Sequence, residues 1–219
     1  MDIDSFNQCL TYMSASSGKK GALETLTPFI TAIVSFALGF FINMWRDYVK
    51  ENKTIKNKKA CINEDIYRAK FGTEQTFKEC INIIDLCQQN APIRGHTLPS
   101  EITTPGIDEY FWSIAHSYTE TERHHIMLLT PAIRKLNKNL EQLTSISRIT
   151  PSSDTVTMAY NLISYTLHCH SIFLALQTGE QQTTTSIVSL ADQFGLNSPY
   201  IEDIRTIEAS KFVDPPPTA

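Results

Sequence analysis

Glycine is scarce in this chain, eight residues in 219, and none of the eight sits in a phosphate-cradling loop or a nucleophile elbow. The nearest approach, Ser-Ala-Ser-Ser-Gly-Lys-Lys-Gly, has the wrong spacing and no strand before it, so it reads as a flexible segment. Cysteine is equally uninformative as chemistry. Cys9, Cys61, Cys80, Cys87 and Cys169 are odd in number and contain no C-x-x-C pair, which argues against a zinc ribbon, a dithiol redox site or a disulfide framework. Small, apolar and placed on helix faces, they read as reduced core residues. There is no H-E-x-x-H, no cofactor-binding motif is present, and the expectation is a protein that is not an enzyme. Convincing period-two alternation is missing as well, so the expected fold class is all-α.

The most consequential absence is of charge. Leu26 to Trp45, LTPFITAIVSFALGFFINMW, has no Asp, Glu, Lys or Arg in a length sufficient for a helix to cross the hydrocarbon core. The spacing predicts a single transmembrane helix over 26–45. A cleaved signal does not fit, because the segment before the span is long and poor in positive charge, and no small-x-small site follows it. Lys19 and Lys20 precede the span, whereas Arg46, Lys50, Lys53, Lys56, Lys58 and Lys59 follow it within fourteen residues. That asymmetry places a short external tail, 1–25, outside and the C-terminal mass in the cytoplasm of a bacterial inner membrane. Trp45, Arg46, Tyr48 and Lys50 then form the membrane interface. Ser35, Gly39 and Asn43 recur every fourth residue and share a helix face on which two spans can pack closely.

After the span the composition stays helix-compatible to Gly72, giving a basic juxtamembrane stalk helix over 46–72. Ile42, Trp45, Val49, Asn52, Ile55, Lys59, Ile62, Ile66 and Ala69 follow three- and four-residue steps, an imperfect coiled-coil seam interrupted by Asn52 and Lys59. The same stretch also reads as a basic patch for anionic lipid. A cytosolic helical bundle is expected over 73–212. It would start with an amphipathic helix over 73–89 and continue, past a Pro/Gly-rich connection, with a helix from Ile107 towards Leu129. A further helix is read from Thr130-Pro131, another from Ser153-Asp154 to Gly179, and two shorter ones to about Phe212. Asp214 and the three prolines after it make 213–219 a disordered tail. Residues 60–219 carry eleven basic against eighteen acidic residues, which disfavours bulk nucleic acid binding.

Two stretches are candidate sites. His116, Glu120 and His124 fall at i, i+4 and i+8 of the expected 107–129 helix, with Arg123 and His125 beside them, an array able to contact an anion or ligand. As a metal site it needs a further ligand from elsewhere, and the plain reading is a solvated, charged face. Thr155 to Gly179 is the second uncharged stretch. Asn161, Ser164, His168, His170 and Ser171 load it with polar groups, so a buried central helix fits better than a second span. His168 and His170 lie about 200° apart around a helix and cannot serve one ion from one face.

One short span followed by a compact helical domain resembles, at the level of architecture alone, the membrane effectors of bacterial antiviral systems, whether CRISPR-linked, retron-linked or cyclic-nucleotide-linked. The resemblance implies a cytosolic sensor coupled to a membrane-disrupting span. The sequence expectation is therefore a membrane-anchored homo-oligomeric signalling or effector protein in contact with membrane lipid and with a cytosolic ligand or protein partner. Its alternatives are a passive tether for a soluble partner and a membrane-anchored metal-dependent hydrolase using His116, Glu120 and His124.

Overall fold

The computed structural model describes residues 7, 8, 10–12, 22–145, 149–180 and 184–211. The tail expected at 213–219, Cys9 and most of the segment 1–25 lie outside them. The chain is all-helical, with no strand among the described residues and one long apolar helix near the N-terminus. That helix, α1, runs without a break over Ala22–Gln88. It is followed by α2 (Pro105–Ile114), a single 3-10 turn (Ala115–Ser117), α3 (Glu120–Thr144), α4 (Ser153–Thr178), α5 (Ile187–Gln193) and α6 (Pro199–Lys211). Two compact units divide the chain, residues 1–56 and residues 57–219.

The first unit holds the apolar part of α1. Its side chains are exposed, Phe36 and Trp45 to about three quarters of their surface, and no part of the apolar window is buried within the protein. The second unit contains the core. Along α1 the buried positions Ile62, Ala69, Phe77, Ile84 and Cys87 recur at helical spacing. On α3, Leu129, Leu136, Leu140 and Leu143 are fully buried, and on α4 Leu162, Ile163, Ile172 and Phe173 are buried as well. Burying each such side chain contributes about 1.5–3 kcal/mol. α3 and α4 form the most extensive helix pair. The uncharged stretch 155–179 is thus a core helix, and its hydroxyls are satisfied locally, Thr166 donating to the Ile163 carbonyl at 2.7 Å.

Four boundaries differ from the sequence reading. Gly72 ends nothing: a Cβ there would stand 3.0 Å from Ile102 Cγ1, so the missing side chain lets the 91–104 connection close onto an unbroken α1. The seam read as a stalk changes character along its length, since Ile62 and Ala69 are core residues packed by this chain's own helices. Likewise the expected 107–129 helix is two elements. Tyr118 takes an extended conformation (ψ 153°), and Thr119 opens α3 through a capping box in which Thr119 Oγ1 accepts from the Glu122 N–H while the Glu122 carboxylate accepts from the Thr119 N–H. Finally Pro131, read as a helix start, lies inside α3. It sits on the exposed side, where water can satisfy the carbonyl that its ring leaves without an intrahelical donor.

Candidate functional site

The break at Tyr118–Thr119 decides the fate of the histidine array. His116 is exposed on the 3-10 turn, while Glu120 occupies the first position of α3 and is exposed. Arg123 is half-buried and His124 exposed. The change of direction removes the i, i+4, i+8 alignment, and among the described residues no three His, Cys, Asp or Glu side chains converge. His125 turns inward and is buried, its ring 5.6 Å from that of His124 and its Nδ1 without a hydrogen-bond partner among the described residues. In the apolar segment, Ser35, Gly39 and Asn43 are exposed, and a Cβ at Gly39 would meet nothing within 4 Å. Trp45, Arg46, Tyr48 and Lys50 are exposed as well.

Two of the flanking lysines have work in the second unit. Lys58 Nζ donates to Ser113 Oγ at 2.9 Å. Lys59 Nζ donates to the Ser117 carbonyl and stands 4.4 Å from the centre of the Tyr118 ring, a cation–π contact. Burial, with Glu122 adding to it, pushes the Tyr118 phenol up to about 12. The basic run after the apolar segment therefore splits into residues that hold α2 and the turn in place and residues that remain exposed, Arg46, Lys50, Lys53 and Lys56.

α1 also sets two helix starts through aspartates. Asp65, 1% exposed, accepts from the backbone N–H groups of Gly106 and Ile107, the latter at 3.0 Å. These are unpaired donors of the first turn of α2, and a carboxylate there suits the positive helix end. Asp85 does the same for α6, accepting from Ser198 Oγ at 3.0 Å and from the Tyr200 N–H at 3.1 Å. Arg68 completes the first cluster through Nη2, 3.4 Å from both Glu64 and Asp65.

Beside this cluster, α1 and the 91–104 connection enclose a recess of about 300 Å³ lined by Tyr67, Arg68, Phe71, Gly72, Gln75, Pro99, Glu101, Ile102 and Thr103. Its outer wall is held rigidly. The Asn137 side chain accepts from the Ile102 N–H at 3.0 Å and donates to the Ile102 carbonyl at 2.8 Å, and Thr97 Oγ1 donates to Glu79 Oε2 at 2.8 Å. Sequence reasoning missed this recess. The available signal was the Tyr67/Phe71 pair, two large rings one turn apart on a helix whose other face carries the core positions.

A third cluster gathers on Phe194, at the end of α5. Its ring stands 5.9 Å from Phe77 and 6.3 Å from His170, and Lys78 Nζ lies 4.7 Å from its centre. Burial lowers the pKa of His170, and the nearby Lys70 lowers it further. Because the folded pKa lies below the unfolded one, the unfolded chain takes up the proton first as pH falls. The second unit is therefore expected to lose stability progressively below about pH 6.5, the ordinary imidazole value. Thermal melts of wild type and His170→Gln from pH 7.5 to 5 check this. The variant's melting temperature should fall less steeply over that window; parallel slopes would assign the acid sensitivity to other groups.

Compared with protein-family models, curated proteins and solved structures, the chain matches none. Its functional reading rests on its own residues.

Proposed function

We propose that the chain is a single-pass membrane-anchored homo-oligomer that acts as a signalling or effector protein. In this reading Leu26–Trp45 spans a bacterial inner membrane with the N-terminus outside, and the second unit is a cytosolic helical bundle that senses a ligand or protein partner. The observation that supports it is α1 itself: one uninterrupted helix carries a long, exposed, uncharged stretch and then contributes buried core residues to the second unit. Exposed side chains such as Phe29, Ile33, Phe36, Phe40 and Phe41 are costly in water and at home in lipid. Exposed Arg46, Lys50, Lys53 and Lys56 follow the stretch, as the positive-inside rule requires for a cytoplasmic flank. Because α1 is continuous over Ala22–Gln88, the proposed span and the second unit share one helix, through which a rearrangement of the bundle would act on the span. For signalling, the ligand must bind two arrangements with different affinity. Bacterial antiviral systems include membrane-disrupting effectors with these parts, and that portion of the reading rests on architecture.

The Ser35, Gly39, Asn43 face supplies the proposed contact between spans. Gly39→Leu keeps the segment apolar and insertion-competent but removes the close approach. On this reading overproduction of wild type is expected to arrest growth and admit dye, and Gly39→Leu is expected to lower the oligomer fraction in detergent by about tenfold and to abolish both effects. A chain in which any unrelated apolar span preserves both properties would instead be a passive tether. The hydrolase alternative draws no support from the described residues, among which no group of three or more His, Cys, Asp or Glu could hold a metal ion.

A further inference from the structure

We propose that the recess beside Tyr67 and Phe71 is a self-association site that takes the same patch of a second copy of this chain. The proposal rests on the oligomeric reading above and deepens it by locating a contact in the second unit.

Four properties of one small surface carry it. First, it has projecting parts: Tyr67 is 72% exposed and Phe71 57% exposed, one helical turn apart, and paired exposed aromatics are what the centres of interfaces are made of. Second, it has a receiving part of matching size. An apolar cavity of about 150 Å³ admits one benzene ring, so a recess of about 300 Å³ has room for the two rings that project beside it. Third, the receiving part is preformed. Gly72 leaves space that Ile102 fills from the side, and the Asn137 clamp on both backbone groups of Ile102 fixes the wall before any partner arrives.

Fourth, the patch carries both signs of charge at its surface, with the Arg68 side chain 57% exposed. Both ion pairs of Arg68 use Nη2, and Glu101, which is exposed, makes no ion pair among the described residues. A foreign partner would need only a recess or only a knob, and only one charge. A two-fold axis through the patch uses all of them, because each residue meets its counterpart's complement. The partner's Tyr67 and the partner's Phe71 enter the recess, and the partner's Arg68 faces Glu101 while Glu101 of the partner subunit faces Arg68. The contact is isologous and closes at two copies, so it would pair protomers without polymerising them.

The test is photo-crosslinking of the full-length protein in native membranes, with benzoylphenylalanine at position 67. The proposal expects an adduct of twice the protomer mass whose crosslinked peptide contains residues 99–103. Glu101→Arg should lower its yield at least fivefold, and Arg68→Glu combined with Glu101→Arg should restore it, since the charges then match again with the sign exchanged. Phe71→Glu, at an exposed position, provides an independent disruption, and its unchanged melting temperature shows that folding is intact. An adduct with a different protein, or none at dimer mass, overturns the proposal. A second photo-probe at Asn43 separates the two levels. Crosslinking from position 43 without any from position 67 refutes this patch and leaves the oligomeric reading standing, whereas no dimer from either refutes both.

Discussion

Asp65→Ala is expected to cost the second unit about 3 kcal/mol, because it strips the acceptor from two backbone N–H groups of α2 that have no other partner and are buried. Loss of a helix cap alone costs about 1 kcal/mol; burial of the orphaned donors supplies the remainder. The site has no slack to relax into. A Cβ at Gly106 would stand 3.0 Å from Asp65 Oδ2 and 3.3 Å from the Cys61 backbone, so the glycine and the aspartate are a matched pair, and Gly106→Ala is expected to destabilise in the same direction. Asp65→Asn keeps an acceptor oxygen of the same shape and should recover a large part of the loss. Urea unfolding of the three variants measures this. A change in Asp65→Ala below about 1 kcal/mol would show that water replaces the carboxylate and that α2 is not anchored through it.

Val34→Asp with Leu38→Asp is the second large expected effect, and it acts on the membrane. At the centre of a span each Asp costs about 2.5–3.5 kcal/mol on insertion scales, so the pair removes most of the advantage of an ordinary twenty-residue apolar helix. The variant should leave the alkali-resistant membrane fraction and be found in the soluble fraction or degraded. The second unit, 57–219, draws its core from other residues and should melt as wild type wherever soluble protein is recovered. Retention of the double variant in the membrane fraction would mean that something other than Leu26–Trp45 holds the protein there.

What could be read from the sequence was what depends on local composition. The uncharged segment 26–45, the helical class, the burial of 155–179, the helix start at Ser153 and its end at Gly179 are all carried by neighbouring residues, and α4 runs over Ser153–Thr178 with Gly179 in the left-handed conformation after it (φ 70°). Misread features fall into two kinds. Some had a local signal that was outweighed: Thr119-x-x-Glu122 is a capping box, yet Thr130-Pro131 and the continuous apolar spacing around it pointed to a later start. Moving that boundary by eleven residues put His116 and His124 on different elements.

Others had no local signal at all. Asp65 binds a backbone 41 residues away and Asp85 one 115 residues away, and nothing in the flanking sequence marks either aspartate as a cap. Gly72 looked like a helix terminus because its partner, Ile102, is thirty residues distant. The recess beside Tyr67 depends in turn on where the 91–104 connection is clamped. Lys58 and Lys59 looked like lipid-facing charges because composition reports their sign and not their partners, Ser113 and Ser117.

The central claim, that α1 crosses the membrane between an external N-terminus and a cytoplasmic second unit, is tested most directly by two native thiols on either side of the span. Cys61 is exposed, whereas Cys80, Cys87 and Cys169 are buried, and burial pushes the Cys169 thiol up to about 12, which keeps it unreactive. Cys9 lies before the span and outside the described residues. A membrane-impermeant maleimide applied to intact spheroplasts should label Cys9 and spare Cys61, with Cys61 reacting only after lysis; Cys9→Ser and Cys61→Ser variants assign each band. Labelling of Cys61 in intact spheroplasts, or equal labelling of both thiols in a soluble fraction, would contradict the account.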